Sequence, residues 1–281
     1  MLSPMRVSLT VLLTTILAVP LLAADPAQVQ KAWDLLDAGV KEKSFNKRHD
    51  AILAMGLLAG NSKAVATAEN ALSDTAPEVR EAGATSLGEL RSSSSIPKLE
   101  VALKDKDITV VLASAHSLYL LKDKQAFDIY YEILVGEHKA TPGLIEGQEQ
   151  MFRDKKKLAE FAFENGIEFN PFAGIGWGIF KTLHTDNVSP VRATAAKVLI
   201  DDPDPRSSQA LAKACSNKSW IVRLAALEAL AQRGDPAFIK DIEPLMADGK
   251  DRVRFTAAAA IIRLSSAPPA PEPSAEKSST P

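Results

Sequence analysis

The chain has 281 residues, 46% hydrophobic and 24% charged, with 33 basic against 35 acidic side chains. That is enough apolar material for one continuous core, and the near-balance of charge leaves no basic excess to hold a nucleic-acid backbone. A single cysteine, Cys215, excludes an intramolecular disulfide.

Residues 1–24 contain one charge, Arg6, followed by an apolar run from Val7 to Leu22 and then Ala23-Ala24 before Asp25. A run this short, closed by small residues, predicts a secretory signal peptide cleaved near Ala24 and an exported protein, periplasmic or extracellular. An uncleaved anchor is the alternative, because a single positive charge and Leu22 at minus three depart from the usual pattern. Without the signal, 32 basic residues face 35 acidic ones, since only Arg6 is removed.

Residues 27–60 read as a degenerate first unit. Ala32, Trp33, Leu36 and Val40 share one helical face, Arg48 follows Glu42 by six residues, and Met55 follows Arg48 by seven. His49 falls beside the turn and is expected to be a solvated surface residue. Next a five-residue beat sets in: Asp74 before Val79-Arg80, Asp105 before Val110-Val111, Asp186 before Val191-Arg192, Asn217 before Val222-Arg223, and Asp248 before Val253-Arg254. The valines at 79, 110, 191, 222 and 253 stand 31, 81, 31 and 31 residues apart, a period that marks a stacked helical solenoid.

Each unit is predicted to be two helices joined at the Asp. Ile96, Leu99, Ala102 and Leu103 form the apolar stripe before Asp105, and Ile239, Ile242, Leu245 and Met246 the one before Asp248. After the Asp comes a stripe of small residues, such as Ala82 and Gly83 or Ala225 and Ala226, that lets two backbones approach. Second helices are expected at about 77–91 and 108–121. The Asp and the Arg six residues later predict a ladder in which the carboxylate takes backbone N–H groups at the turn and the Arg reaches a neighbouring Asp. Asp74, Arg80, Asp105, Asp186, Arg192, Asn217, Arg223, Asp248 and Arg254 are its members, and Val111 breaks it. Cys215 occupies a slot filled by Leu72, Leu103 and Met246 elsewhere and is expected in the core.

The Asp, Val-Arg, small-residue and Leu positions resemble the HEAT repeat, in the short variety also found in bilin-lyase-like proteins, over residues 62–121 and 170–265. The resemblance implies an all-α solenoid of stacked antiparallel helix pairs. Its enzyme-derived name describes a scaffold, and a fold does not carry a function.

Between Leu121 and Asp186 the period fails. An insertion over about 137–169 carries an amphipathic stretch from Leu144 to Asn165, and a Gly-rich apolar helix follows from Pro171 to Phe180. The insertion is expected either to patch the core or to expose Phe161, Phe163, Phe169 and Phe172 as a docking site for a protein or a membrane surface. From Ala267, Pro268, Pro269, Pro271 and Pro273 predict a disordered tail.

Sharper chemistries find little support. His49, His116, His138 and His184 are scattered, none precedes a Glu, and no pair has metal-ligand spacing. The GxGxG run at 174–178 follows a Pro and no strand. No cofactor, metal or catalytic residue is expected. The function read from the residues is a non-catalytic protein-binding scaffold, with a membrane-surface adaptor acting through residues 167–183 or an accessory lyase-type enzyme as alternatives. Counting from the Arg position, plus one, five and eight place Leu112, His116, Tyr119, Leu224, Glu228 and Phe255 on the exposed side of the second helices. They are candidate partner contacts, or else pack between adjacent second helices.

Overall fold

The computed structural model describes residues 25–125 and 189–266, and among them every regular element is a helix. The first stretch pairs α1 (Pro26–Gly39) with α2 (Phe45–Met55), α3 (Ser62–Ala71) with α4 (Pro77–Glu89), and α5 (Ile96–Ala102) with α6 (Ile108–Leu120). The second stretch begins with α7 (Ser189–Val198), followed by α8 (Pro205–Ala214) and α9 (Trp220–Arg233). It ends with α10 (Ile239–Ile242), continued by 3-10 turns at either end, and α11 (Asp251–Ser266). The chain is an α-solenoid of helix pairs, and the first unit, whose phase drifts, is one of them. The signal segment, the insertion with Phe161, Phe163, Phe169 and Phe172, Asp186, and the tail lie outside the described residues.

Each turn owes its shape to the repeated Asx side chain. Its Oδ1 accepts the N–H two residues on: Ala76 to Asp74 at 2.9 Å, Asp107 to Asp105 at 2.8 Å, Ser219 to Asn217 at 2.9 Å and Lys250 to Asp248 at 2.8 Å. The side chain therefore folds the turn ahead of the helix, an Asx turn, and does not itself cap the second helix. The cap positions of α4, α6 and α9 are Ala76, Asp107 and Ser219, of which only Asp107 adds a side-chain bond.

The small-residue stripes let the second helices stack. Ala82, Ala84 and Leu87 of α4, Ala225, Ala226 and Leu230 of α9, and Ala257 to Ile261 of α11 are all buried. Met55 and Leu87, equivalent in the repeat, are both fully buried. Cys215 lies in the same core, and burial, with a smaller contribution from Asp241, pushes its thiol up to about 12.

In space the units do not follow chain order from end to end. α4 packs on α2 and α6, and α9 on α7 and α11, as neighbours along the chain should. But α11 also packs on α2, and α1 lies along α11. The second helices thus stack in the order α6, α4, α2, α11, α9, α7, with the last unit seated ahead of the first. Gly39 makes this seam possible: a Cβ there would stand 2.5 Å from the Phe255 ring and 2.8 Å from the Ala51 methyl. Across the same seam Arg263 Nη1 donates to the Leu57 carbonyl at 2.5 Å, a bond spanning 206 residues.

Candidate partner-binding face

The ladder runs through the turns on one side of the stack. Arg48 grips Asp74 with Nε and Nη2, both at 2.8 Å, while its Nη1 donates to the carbonyls of Glu42 and Lys43. Arg80 repeats this on Asp105 at 2.7 and 2.8 Å, and Arg223 on Asp248 at 2.7 and 2.9 Å. Every guanidinium binds backward to its own turn and forward to the next unit's carboxylate, a bidentate fork that a lysine could not supply. The hydrogen bond from Arg48 outweighs burial and holds the Asp74 carboxyl below the usual range. At Asp105 and Asp248 burial is the larger single influence, yet Arg80 and Arg223 together with the turn N–H groups still leave both lowered.

The ladder is incomplete in three places. Val111 is buried where a guanidinium would sit. Arg192 is exposed and faces a unit whose turn residue is the uncharged Asn217. Arg254 donates to the Asp248 carbonyl as expected, but its fork turns to Asp251 in its own helix.

A second set of bonds ties each second helix to the one before, with Ser86 and Ser117 in the same slot one 31-residue period apart. Ser86 Oγ donates to the Ile52 carbonyl at 2.8 Å and Ser117 Oγ to the Ala84 carbonyl at 2.7 Å. In the C-terminal stretch guanidinium groups take over. Arg233 donates to the carbonyls of Leu199 and Asp202, each at 2.6 Å, and Arg263 to Ala231 at 2.8 Å.

The face opposite the first helices decides one open reading and corrects one expectation. Leu112, Leu224 and Phe255 are 4%, 2% and 3% exposed, so they belong to the core between second helices and do not form an apolar groove. These plus-one side chains, and Glu81 with them, are buried where adjacent second helices pack. Among the described residues Tyr119 alone of the apolar candidates is exposed, at 42%, and its ring stacks at 6.2 Å on the half-buried His116. Burial lowers the His116 pKa.

His49 is also not a solvated residue. It is half-buried, with Nδ1 3.1 Å from Asp50 and Nε2 3.6 Å from Glu81 on the next second helix. Burial disfavours its charged form, but hydrogen bonds to Asp50 and Glu81 and the Glu81 charge outweigh both burial and Arg252, raising it from 6.5 to about 9. Arg252 of α11 stands 3.9 Å from Asp50 across the seam. Charge therefore alternates along Arg252, Asp50, His49 and Glu81, over three second helices.

The pattern continues on the other side. Burial raises Glu228, against the pull of Lys197 and Arg252, and raises Glu89, against Lys197 and Arg91. Burial lowers Lys197, opposed by Glu228 and Glu89. Side chains from α2, α4, α7, α9 and α11 thus share one inner electrostatic surface. Its signal was present in the sequence at the positions picked as partner contacts, Glu228 among them: His49 and Glu81 are the plus-one residues of their units, and Lys197 and Glu228 the plus-five residues. Among the described residues no group of three or more His, Cys, Asp or Glu is placed to hold a metal ion, and no helix is long and apolar enough to cross a membrane.

The family profile described as HEAT repeats matches residues 34–133 and 178–262. No curated protein matches the chain. Among solved structures, the complex of CpcE and CpcF of phycocyanin lyase from Nostoc is 21% identical, covering 82% of this chain and 94% of that one, with a TM-score of 0.33. Human deoxyhypusine hydroxylase is 18% identical, covering 86% of this chain and 93% of that one, with a TM-score of 0.33. A designed armadillo repeat protein is 14% identical, covering 85% of this chain and 99% of that one, at 0.26.

Proposed function

The chain belongs to the HEAT-repeat family, and from that premise we propose that it is a non-catalytic scaffold binding a protein or peptide partner along the inner face of its second helices. The observation that supports this reading is the shared charge surface. Half-buried Glu228 and Lys197 are held against the preference of their charged forms for water, and the exposed Glu89 stands within electrostatic reach of Lys197. A face with only a stacking role is better served by apolar residues, as Leu112 and Leu224 serve it a turn away. Keeping charges there at a desolvation cost suits recognition, where alternating charge selects a partner and its register.

The proposal includes location. The Val7–Leu22 run and Ala23-Ala24 support export to the periplasm or medium, with the mature chain beginning at or near Asp25.

A photo-crosslinking residue placed at Thr85 or at Tyr119 tests the inner face. One at Val101, 70% exposed on the first helix α5, is the control. In protein recovered from periplasm or medium, the first two should give one discrete adduct and the control none, and the amino-terminal sequence should start at Asp25. Adducts from Val101 alone, or from no position, overturn the binding face, and an intact Met1 overturns export.

A further inference from the structure

We propose that the edge of the stack made by the turns between first and second helices is a docking surface for a lipid bilayer rich in anionic headgroups. The rungs hold these turns side by side, Arg48 on Asp74, Arg80 on Asp105 and Arg223 on Asp248. The seam keeps the same arrangement. Arg252 meets Asp50 near the amino ends of α11 and α2, and Arg263 meets Leu57 near their carboxyl ends, so the two helices run parallel and the last unit's turn joins the edge.

A second pattern lies over the Asx and Arg of these turns. Five residues before the Arg position stand Lys43, Lys106 and Lys218, each followed two residues on by an apolar side chain, Phe45, Ile108 or Trp220. Lys41 and Lys104 stand two residues earlier, and the last unit supplies Lys250. All six lysines are exposed, and among the described residues none of their ammonium groups has a hydrogen bond or ion pair. The acids of the same turns are largely spent. Asp74, Asp105 and Asp248 lie in the guanidinium forks, Lys47 holds Glu42, and Arg254 holds Asp251. Among the described turns that leaves Glu78 and Asp107 against the six lysines. Helix dipoles add nothing, because at each turn the carbonyl end of a first helix meets the amide end of a second.

The apolar positions choose the occupant. Phe45, the first residue of α2, is 41% exposed at its turn, with Lys43 and Lys47 on either side in the chain, and Trp220 is half-buried. A headgroup layer takes ammonium groups on its phosphates and an aromatic ring at the boundary with the acyl chains. A nucleic acid or other soluble polyanion would take the charges and leave the Phe45 ring in water. Packed helices stand about 8–10 Å apart, so the cations are spread along the edge and not gathered into a pocket, which suits a surface of many headgroups. The edge is separate from the inner face and survives if the inner-face reading fails.

The test is co-sedimentation of the chain from Asp25 onward, which contains every described helix, with phosphatidylcholine vesicles carrying or lacking phosphatidylglycerol. The chain should bind the anionic vesicles alone, and less at raised salt. Lys41→Glu with Lys43→Glu should weaken binding about 25-fold or more, at about fivefold for each lysine. Phe45→Ser should weaken it severalfold while leaving any retention on heparin unchanged. The matched control, Lys31→Glu with Lys124→Glu, alters two exposed cations away from the edge and should bind as the parent does. All of these variants change exposed side chains and should melt like the parent. No binding to anionic vesicles, equal losses from the two lysine pairs, or vesicle binding indifferent to Phe45→Ser would overturn the proposal. Retention on heparin without vesicle binding would assign the edge to a soluble polyanion and overturn the bilayer.

Discussion

Between α9 and α11 the chain is continuous, and the junction is made by a bidentate Arg223–Asp248 pair, a folded Asx turn and buried small residues. Between α11 and α2 the helices pack in the same way, yet no such rung is present. Arg254 bends back to Asp251, and the polar bonds across the seam are one guanidinium on the Leu57 carbonyl and an ion pair at 3.9 Å. The comparison separates what stacks these helices from what registers them. Apolar packing of small against large, as in Phe255 over Gly39, is enough for stacking. The rung belongs to junctions where the next turn follows along the chain.

If that is right, the seam breaks first when its packing is removed. Phe255→Ala should cost about 3–5 kcal/mol in chemical denaturation, the range for deleting a buried aromatic. A loss below 1 kcal/mol, by the same standard, would mean the ring is dispensable and the seam held by its polar bonds.

A regular junction should depend on its rung instead. Arg223→Ala leaves the Asp248 carboxylate, whose side chain is 6% exposed, without its fork, and should cost about 2–3 kcal/mol. Arg254→Ala, whose partner lies in its own helix, should cost under about 1 kcal/mol. Equal losses from the two variants would erase the distinction between junction and seam. The lowered Asp74, Asp105 and Asp248 pKa values add a sign. Their stabilisation is present above the unfolded value of 3.8 and is lost as pH falls through the lower folded values.

The seam and its neighbour should respond at the other end of the pH scale. His49 is raised from 6.5 to about 9, so its contribution is full below 6.5 and disappears as pH rises through about 9. Discounted for partial exposure, the loss should be about 1–2 kcal/mol between those limits, and His49→Gln should flatten the profile. A wild-type profile already flat over that window would show that the Asp50–His49–Glu81 contacts do not hold the charged form.

The smallest effect is a gain. Asn217→Asp keeps the turn bond from Ser219 and offers Arg192 the carboxylate that Arg48, Arg80 and Arg223 find in the next unit. Urea denaturation should show an increase of about 0.5–1 kcal/mol. A decrease would place the Arg192 side chain out of reach.

The helix pairs and the rungs were legible because both recur: a Val-Arg dipeptide after an Asx, and a partner one unit on, leave the same mark each time. The direction of the plus-one and plus-five positions was legible too, but not their burial. For Leu112, Leu224 and Phe255 the repeat left two readings open, partner contact or packing between adjacent second helices, and their burial, which depends on the neighbouring unit, decides for the second. His49 looked solvated when judged by its own turn. Its partners are Glu81, one unit on, and through Asp50 the Arg252 of a helix 200 residues away, and reading the plus-one column down the repeats would have found only the first. The seam left no pattern at all, since Gly39 and Phe255 are ordinary residues until they meet.

That meeting has a consequence for how the molecule assembles. Bonds such as Ser86 to Ile52 join residues 34 apart and can form as soon as two neighbouring units are in place, whereas the Arg263–Leu57 bond joins residues 206 apart. Bringing such distant segments together carries a loop-closure entropy that nearest-neighbour stacking does not. The open stack can grow from any unit, while closure must wait for the final helix, so a chain emerging from synthesis passes through an uncapped form whose first unit is still waiting for its last.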